Sequence, residues 1–258
     1  MASAPPLCRC EAGVDSEAAP RRQPGDGDAS AVLYASRSDS DAALNCLRTH
    51  GAVVLWEAVP EAALLEARTA LAPFLAAAAA AWDAESDGLS GMKGFGVARL
   101  PRVNNGKKNV HFSDGSVLHT ALAALAAAAG LAELLTAVRG SPVTLSESGL
   151  SLTRGGGSGM EWHADGGEGE NTCLLSLEDQ PPERGALGLI PGSHLLYEPG
   201  GEVSTQIEAT GGNAVWFAYE AGAVVSIDAR CLHAAADNTS SDMRCVVWYI
   251  FTASSDAE

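Results

Sequence analysis

Apolar positions follow two different rules along this chain. Between Asp41 and Arg139, outside Ala52–Trp56 and 83–117, they recur at the three-to-four spacing that gathers them on one helix face; after Ser141 they cluster in short runs separated by turn formers. The first part predicts a short helix from Asp41 that ends at Gly51, a strand over Ala52–Trp56 and a helix from Pro60 to Trp82. Proline at the first helical position forfeits only an N–H that has no partner there, whereas Pro73 inside the same helix predicts a kink. Residues 83–117 are rich in Gly, Asn and Lys and read as irregular, and Leu118–Arg139 resumes a helical pattern broken at Gly130. The second part predicts strands at Val143–Thr153, Gly159–Asp165, Thr172–Leu177, Ala186–Ile190, Ala214–Phe217, Ala223–Ile227, Cys231–Ala234 and Arg244–Thr252. Many short strands divided by turns point to an antiparallel sandwich or jelly roll, mainly β with flanking α helices that brace one sheet from outside. Residues 1–38 carry neither period and read as a disordered tail. The domain is expected over 39–258, with helical support over 41–140 and the jelly-roll core over 141–253. No internal repeat is visible.

Composition agrees with one sizeable core. Apolar residues make up 47% of the 258, and 28 glycines with 12 prolines favour turns over a long bundle. Sixteen basic against 32 acidic residues leave a net charge of −16, which argues against nucleic acid and anionic membranes as partners. The six cysteines follow no Cys-x-x-Cys spacing and the start lacks the apolar run of a secretory signal, so reduced thiols and a cytoplasmic setting are expected. An organelle-targeting role for the tail is the alternative. Thr69–Trp82, the most apolar stretch, is short for a bilayer and mostly alanine, so no membrane span is expected.

Chemistry enters at Glu161-Trp162-His163-Ala164-Asp165. Residues two apart on a strand share a face, so His163 and Asp165 can present a nitrogen and a carboxylate oxygen side by side. With His233 from a later strand they would form a 2-His-1-carboxylate triad, which holds ferrous iron and leaves positions open. Taken alone, a His-x-Asp pair carries little, because a solvated loop shows the same residues. Arg244 raises its weight. With Asp237–Asp242 as a hairpin loop, Ala235 opposes Arg244 and His233 opposes Val246, so His233 and Arg244 project into one cavity. A guanidinium on the otherwise apolar strand Cys245–Phe251 needs an anion, and a diacid bound to iron at one end would reach it.

These residues resemble the phytanoyl-CoA dioxygenase-like family of iron and 2-oxoglutarate oxygenases. The matching pieces are Trp162–Asp165, then Gly185-Ala-Leu-Gly-Leu-Ile-Pro-Gly-Ser-His194, then Ala221-Gly222 before a strand, and His233 with Asn238, Ser240 and Arg244. His50–Leu55, followed by a helix opened by proline and glutamate, adds to the likeness. The resemblance implies a double-stranded β-helix (jelly roll, cupin-like) core, and Fe(II) held by His163, Asp165 and His233. It also implies 2-oxoglutarate anchored by Arg244, O2 as oxidant and ascorbate as an accessory reductant. Thr172 and Ser151 are the candidates for a further cosubstrate contact, and His194 reads as part of a structural turn rather than a ligand. A carboxylate at position 165, where halogenating relatives carry a small residue, favours hydroxylation of a C–H bond with release of succinate and CO2. The substrate is expected to be a small molecule touched by Lys108, His111 and Trp162. The basic cluster Arg99, Arg102, Lys107 and Lys108 could lie over the cavity and receive an anionic group, but it is too sparse to carry an acyl-CoA substrate over from the family name. Two competing readings stay open: a catalytically silent jelly-roll binding module, and a cupin-type metalloenzyme that does without 2-oxoglutarate. Nothing in the sequence indicates an oligomeric state.

Overall fold

Strand β6 (Val143–Thr153) shows how the chain sorts itself. Leu150 and Leu152 are fully buried on one side, and the intervening Gly149, Ser151 and Thr153 occupy the other, so the strand separates two environments of different polarity. The computed structural model describes residues 33–83, 92–99, 102–104 and 106–254. The other elements, in chain order, are β1 (Tyr34–Ser36), α1 (Ser40–His50), β2 (Ala52–Trp56), α2 (Glu61–Asp83), β3 (Val97–Arg99), β4 (Arg102–Asn104), β5 (Lys107–Phe112), α3 (Val117–Ala128) and α4 (Leu131–Arg139). After β6 come β7 (Met160–His163), β8 (Glu170–Leu175), β9 (Leu187–Leu189), α5 (Val203–Ala209), β10 (Val215–Phe217), β11 (Val224–Asp228), β12 (His233–Ala235) and β13 (Arg244–Ala253).

Two sheets result. The larger has the order β1-β2-β11-β8-β13-β6-β5-β3, with β4 also paired to β5; the smaller is β10-β9-β12-β7. Apart from the parallel β1–β2 pair, the strand ladders are antiparallel. Helices α1 to α4 cover the outer side of the large sheet, where Leu47, Leu71, Phe74, Leu122 and Leu135 meet Leu150, Leu152, Leu175, Val247 and Tyr249 in one apolar cluster. A second cluster, including Val54, Leu187, Leu189, Phe217, Val225, Ile227 and Val246, fills the space between the two sheets. The layers are therefore helix, large sheet, small sheet, which is the jelly-roll arrangement with helical bracing.

Local chemistry sets the boundaries. Asp39 caps α1 by accepting from the Ala42 N–H at 3.0 Å, and Gly51 closes it at φ 73°. His194 fills the space a side chain at 51 would need. Helix α2 runs through Pro73 as one element. It is long and apolar enough by composition to cross a membrane, yet its Leu64, Leu71 and Phe74 stripe is buried in the helical layer, as in a bracing helix.

Three expectations change. The first 32 residues lie outside the described residues, but Leu33 to Ser36, placed in the tail by sequence, are structured: Leu33 is buried and β1 pairs with β2. The stretch 83–117, expected to be irregular, supplies β3, β4 and β5. Its period was hidden because β5 turns Val110 and Phe112 to the apolar layer and Lys107, Asn109 and His111 to the interior, so its inward face is polar. The hairpin between His233 and Arg244 does not form. β12 pairs with β7 and β9 in the small sheet, whereas β13 pairs with β6 and β8 in the large one. The connecting loop crosses from sheet to sheet around the fully buried Asn238, whose amide donates to Thr153 O, Arg154 O and Asp242 O at 3.1, 3.1 and 2.7 Å.

Candidate active site

His163 ends β7 and His233 begins β12, and the two face each other in register with ring centroids 4.2 Å apart. The register slips before the next pair, Met160 with Ala235, so Met160 and His163 share the inner side although three residues apart. Beyond β7 the backbone N–H groups of Asp165 and Gly166 both donate to Ala229 O, at 2.9 and 3.1 Å, which turns the Asp165 carboxylate back toward the imidazoles. Its Oδ1 lies 3.4 Å from His163 Nε2 and its Oδ2 3.4 Å from His233 Nε2. One potential ligand atom from each residue falls within 4.8 Å of the others.

The protonation of this cluster is set by its neighbours. His163 Nδ1 faces Glu161 O at 2.7 Å and His233 Nδ1 faces Cys231 O at 3.1 Å. A carbonyl only accepts, so each Nδ1 carries the proton and each Nε2 offers its lone pair to the centre. Burial favours neutral His233, lowering its pKa. For Asp165 burial acts to raise the pKa, but His233, His163 and a 2.7 Å hydrogen bond from Thr172 Oγ1 outweigh it and hold the group well below the usual carboxylate range. Two imidazole Nε2 atoms and a fixed carboxylate on one side of a metal position match the donor set of ferrous iron and leave coordination sites free. The site thus fits the metal by its chemistry.

Opposite it, the large sheet presents a ladder of side chains in register. Lys107, Thr153 and Arg244 form the deepest row, Asn109, Ser151 and Val246 the next, and His111, Gly149 and Trp248 the third. Arg244 is 2% exposed and has no acidic partner among the described residues. Its Nη1 donates to Gly185 O at 2.9 Å and its Nη2 to Thr153 Oγ1 at 3.2 Å, while Nε is unpartnered. Gly185, at φ 99°, is required twice over, because any side chain there would collide with this guanidinium. Lys107 is 6% exposed and its ammonium rests against Met160 Sδ; burial, then the charge of Arg244, brings its pKa down to about 7. Two buried basic groups on one sheet face, with no carboxylate paired to Arg244 among the described residues, can receive an anion.

The residues singled out by sequence separate into three groups. His163, Asp165 and His233 come together, and Arg244 and Ser151 lie on the facing sheet. His111 also faces inward, on the third row. Thr172, a candidate cosubstrate hydroxyl, is instead engaged with Asp165. Lys108 turns outward, its ammonium 5.3 Å from the Trp82 ring centre. Trp162 stands edge to face with Trp216, whose neighbours Val215 and Phe217 are buried between the sheets, so the Trp pair lies on the opposite face of the small sheet. The basic cluster thus disperses, and the Arg102 side chain lies outside the described residues. Lys107 was missed as an interior group; the signal was its alternation with Asn109 and His111, visible only once 107–112 is read as a strand. Ser193 serves the turn as expected, its hydroxyl accepting from Leu232 N–H at 2.8 Å, next to His233.

A family model described as phytanoyl-CoA dioxygenase matches residues 47–246. The chain belongs to the phytanoyl-CoA dioxygenase family. Solved structures share the fold at low identity. The epimerase SnoN, in complex with Fe3+, alpha ketoglutarate and nogalamycin RO, is 19% identical with TM-score 0.64, covering 84% of each chain. The carbocyclase SnoK from nogalamycin biosynthesis is 17% identical with TM-score 0.58, covering 81% of this chain and 82% of its own. EctD from S. alaskensis, with 2-oxoglutarate and 5-hydroxyectoine, is 19% identical with TM-score 0.58, covering 81% and 74%. No curated protein matches the sequence. As a member of the phytanoyl-CoA dioxygenase family this is an iron- and 2-oxoglutarate-dependent enzyme of the oxygenase type, and its His163–Asp165–His233 cluster carries a donor set for the metal.

Proposed function

We propose that this protein hydroxylates a C–H bond of a small molecule, consuming O2 and 2-oxoglutarate and releasing succinate and CO2. One oxygen atom enters the substrate as C–OH and the other enters succinate, so atoms balance without a further oxidant. The observation that carries this reading is the pairing of a His163–Asp165–His233 cluster with an interior guanidinium that has no carboxylate partner among the described residues.

When bound, iron and 2-oxoglutarate supply oxidative decarboxylation and the oxidising power that breaks the C–H bond. The chain does the rest. His163 and His233 present Nε2 lone pairs because Glu161 O and Cys231 O hold their Nδ1 protons. Thr172 fixes the orientation of the Asp165 carboxylate. Arg244, with Lys107, neutralises the far carboxylate of the cosubstrate, and Asn109 and Ser151 flank the path between that end and the metal. Val246, which stands beside Ser151 and belongs to the apolar cluster between the sheets, gives this path an apolar wall. Structural neighbours named as an epimerase and a carbocyclase share this scaffold; the carboxylate at position 165 supports hydroxylation over halogenation.

Anaerobic addition of 2-oxoglutarate to the Fe(II) protein is expected to produce a metal-to-ligand charge-transfer absorption. Arg244→Ala should weaken 2-oxoglutarate binding by about 10- to 100-fold, the loss of a charge-assisted pair, while sparing iron. A spectrum indifferent to both additions would return the silent-module reading.

A further inference from the structure

The sheet face that bears Arg244 continues past the reach of a five-carbon diacid. On its third row Trp248 lies against Gly149, where any side chain would collide with the indole, and meets the His111 ring edge to face at 4.7 Å. On the fourth row Ile250 lies between Glu147 and Thr172 in register. Glu147 is therefore two strand spacings, about 10 Å, from the threonine that holds Asp165. Its Oε2 takes both Arg99 Nη2, at 2.7 Å, and His111 Nδ1, at 3.3 Å. Trp248 is 8% exposed and its Nε1–H has no partner. Burial, then the charge of Arg99, outweighs Glu147 and lowers the pKa of His111, which favours the neutral ring.

This rim patch offers an unsatisfied buried donor, a half-exposed carboxylate and aromatic edges within a short span of the metal position. A buried N–H left without an acceptor is costly, so the indole is suited to meet a ligand oxygen. A hydroxyl can accept from such a donor and donate to a carboxylate without adding charge. A phosphate or carboxylate at the same place would face Glu147, and Arg99, the cation beside it among the described residues, is already paired with it.

We propose that this patch recognises the substrate and that the substrate is an uncharged, polyhydroxylated molecule, its hydroxyls accepting from Trp248 Nε1–H and donating to Glu147. The assignment rests on the oxygenase reading above and names the chemical class that the site takes. The probe is phenyl β-glucoside, with its 6-phosphate and hexanoyl-CoA as charged competitors, titrated calorimetrically into anaerobic protein loaded with Fe(II) and 2-oxoglutarate. The neutral glucoside is expected to bind and perturb the charge-transfer absorption, and each charged probe to bind about tenfold more weakly or not at all. Glu147→Gln and, separately, Trp248→Phe should each weaken the glucoside about tenfold, the loss of one buried hydrogen bond. The inference is overturned if the 6-phosphate or the thioester binds as tightly as the glucoside. It is also overturned if the glucoside does not bind, or if both variants bind it within about twofold of the parent. Absence of the charge-transfer absorption before any probe is added would instead defeat the oxygenase reading itself.

Discussion

The Thr172 hydroxyl donates to Asp165, and that bond decides how the carboxylate points. Thr172→Val keeps the shape and removes the donor to Asp165 Oδ2. Iron affinity should fall about 10- to 100-fold, as for other residues that orient a ligand, with the melting temperature of the metal-free protein little changed. Dialysis against a chelator followed by metal analysis checks this. Lys107 carries a second expectation, one of pH. Its pKa is brought down to about 7 by burial and by Arg244, so in the cosubstrate-free protein the ammonium is full below that pH and lost above it. A dianion binds best to the protonated form, so 2-oxoglutarate affinity should decline as pH rises above about 7, by up to about tenfold per pH unit, with proton uptake on binding. Calorimetry in two buffers of different ionisation enthalpy measures that uptake, and Lys107→Met should remove the slope. The His163–Asp165–His233 cluster and the interior place of Arg244 were legible in the sequence because their residue types are rare on apolar strands. Lys107 was not, because a lysine in a Gly- and Asn-rich stretch looks solvated until its strand register is known.

At the scale of elements, the strands of the second half were readable almost to their ends: Val143–Thr153 was predicted residue for residue, and β13 runs from the predicted Arg244. What sequence could not supply was pairing. A loop of polar residues between two apolar strands reads as a hairpin by turn chemistry, but here Asn238 spends its amide on Thr153, Arg154 and Asp242 and accepts from Ser240, which steers the chain across to the other sheet. Asn238→Ala would leave several of these backbone groups without a partner in a buried place. A cost of about 2 to 4 kcal/mol is expected, together with weaker 2-oxoglutarate binding because Arg244 begins the strand that this loop delivers. Chemical denaturation and a cosubstrate titration on the same variant test both.

For the whole molecule, the helical layer is expected to contribute stability rather than metal affinity. Phe74 on α2 meets Phe95 and Phe112 edge to face at 5.6 and 5.3 Å and is fully buried. Phe74→Ala should cost about 3 to 5 kcal/mol of stability through the cavity it leaves, read as a lower denaturation midpoint. Metal binding to the folded fraction should stay near normal. The layer order was foreseeable because helices with one apolar face need a sheet to cover. The strand at Tyr34–Ser36 was not, being three residues long beside a stretch without either period. Finally, His233 and Arg244 stand on different sheets, so the gap between sheets, not a turn, fixes how far the metal is from the guanidinium. That gap works as a caliper for carbon-chain length. Oxaloacetate, one methylene shorter than 2-oxoglutarate, and 2-oxoadipate, one longer, should each fail to touch both jaws and should support turnover poorly.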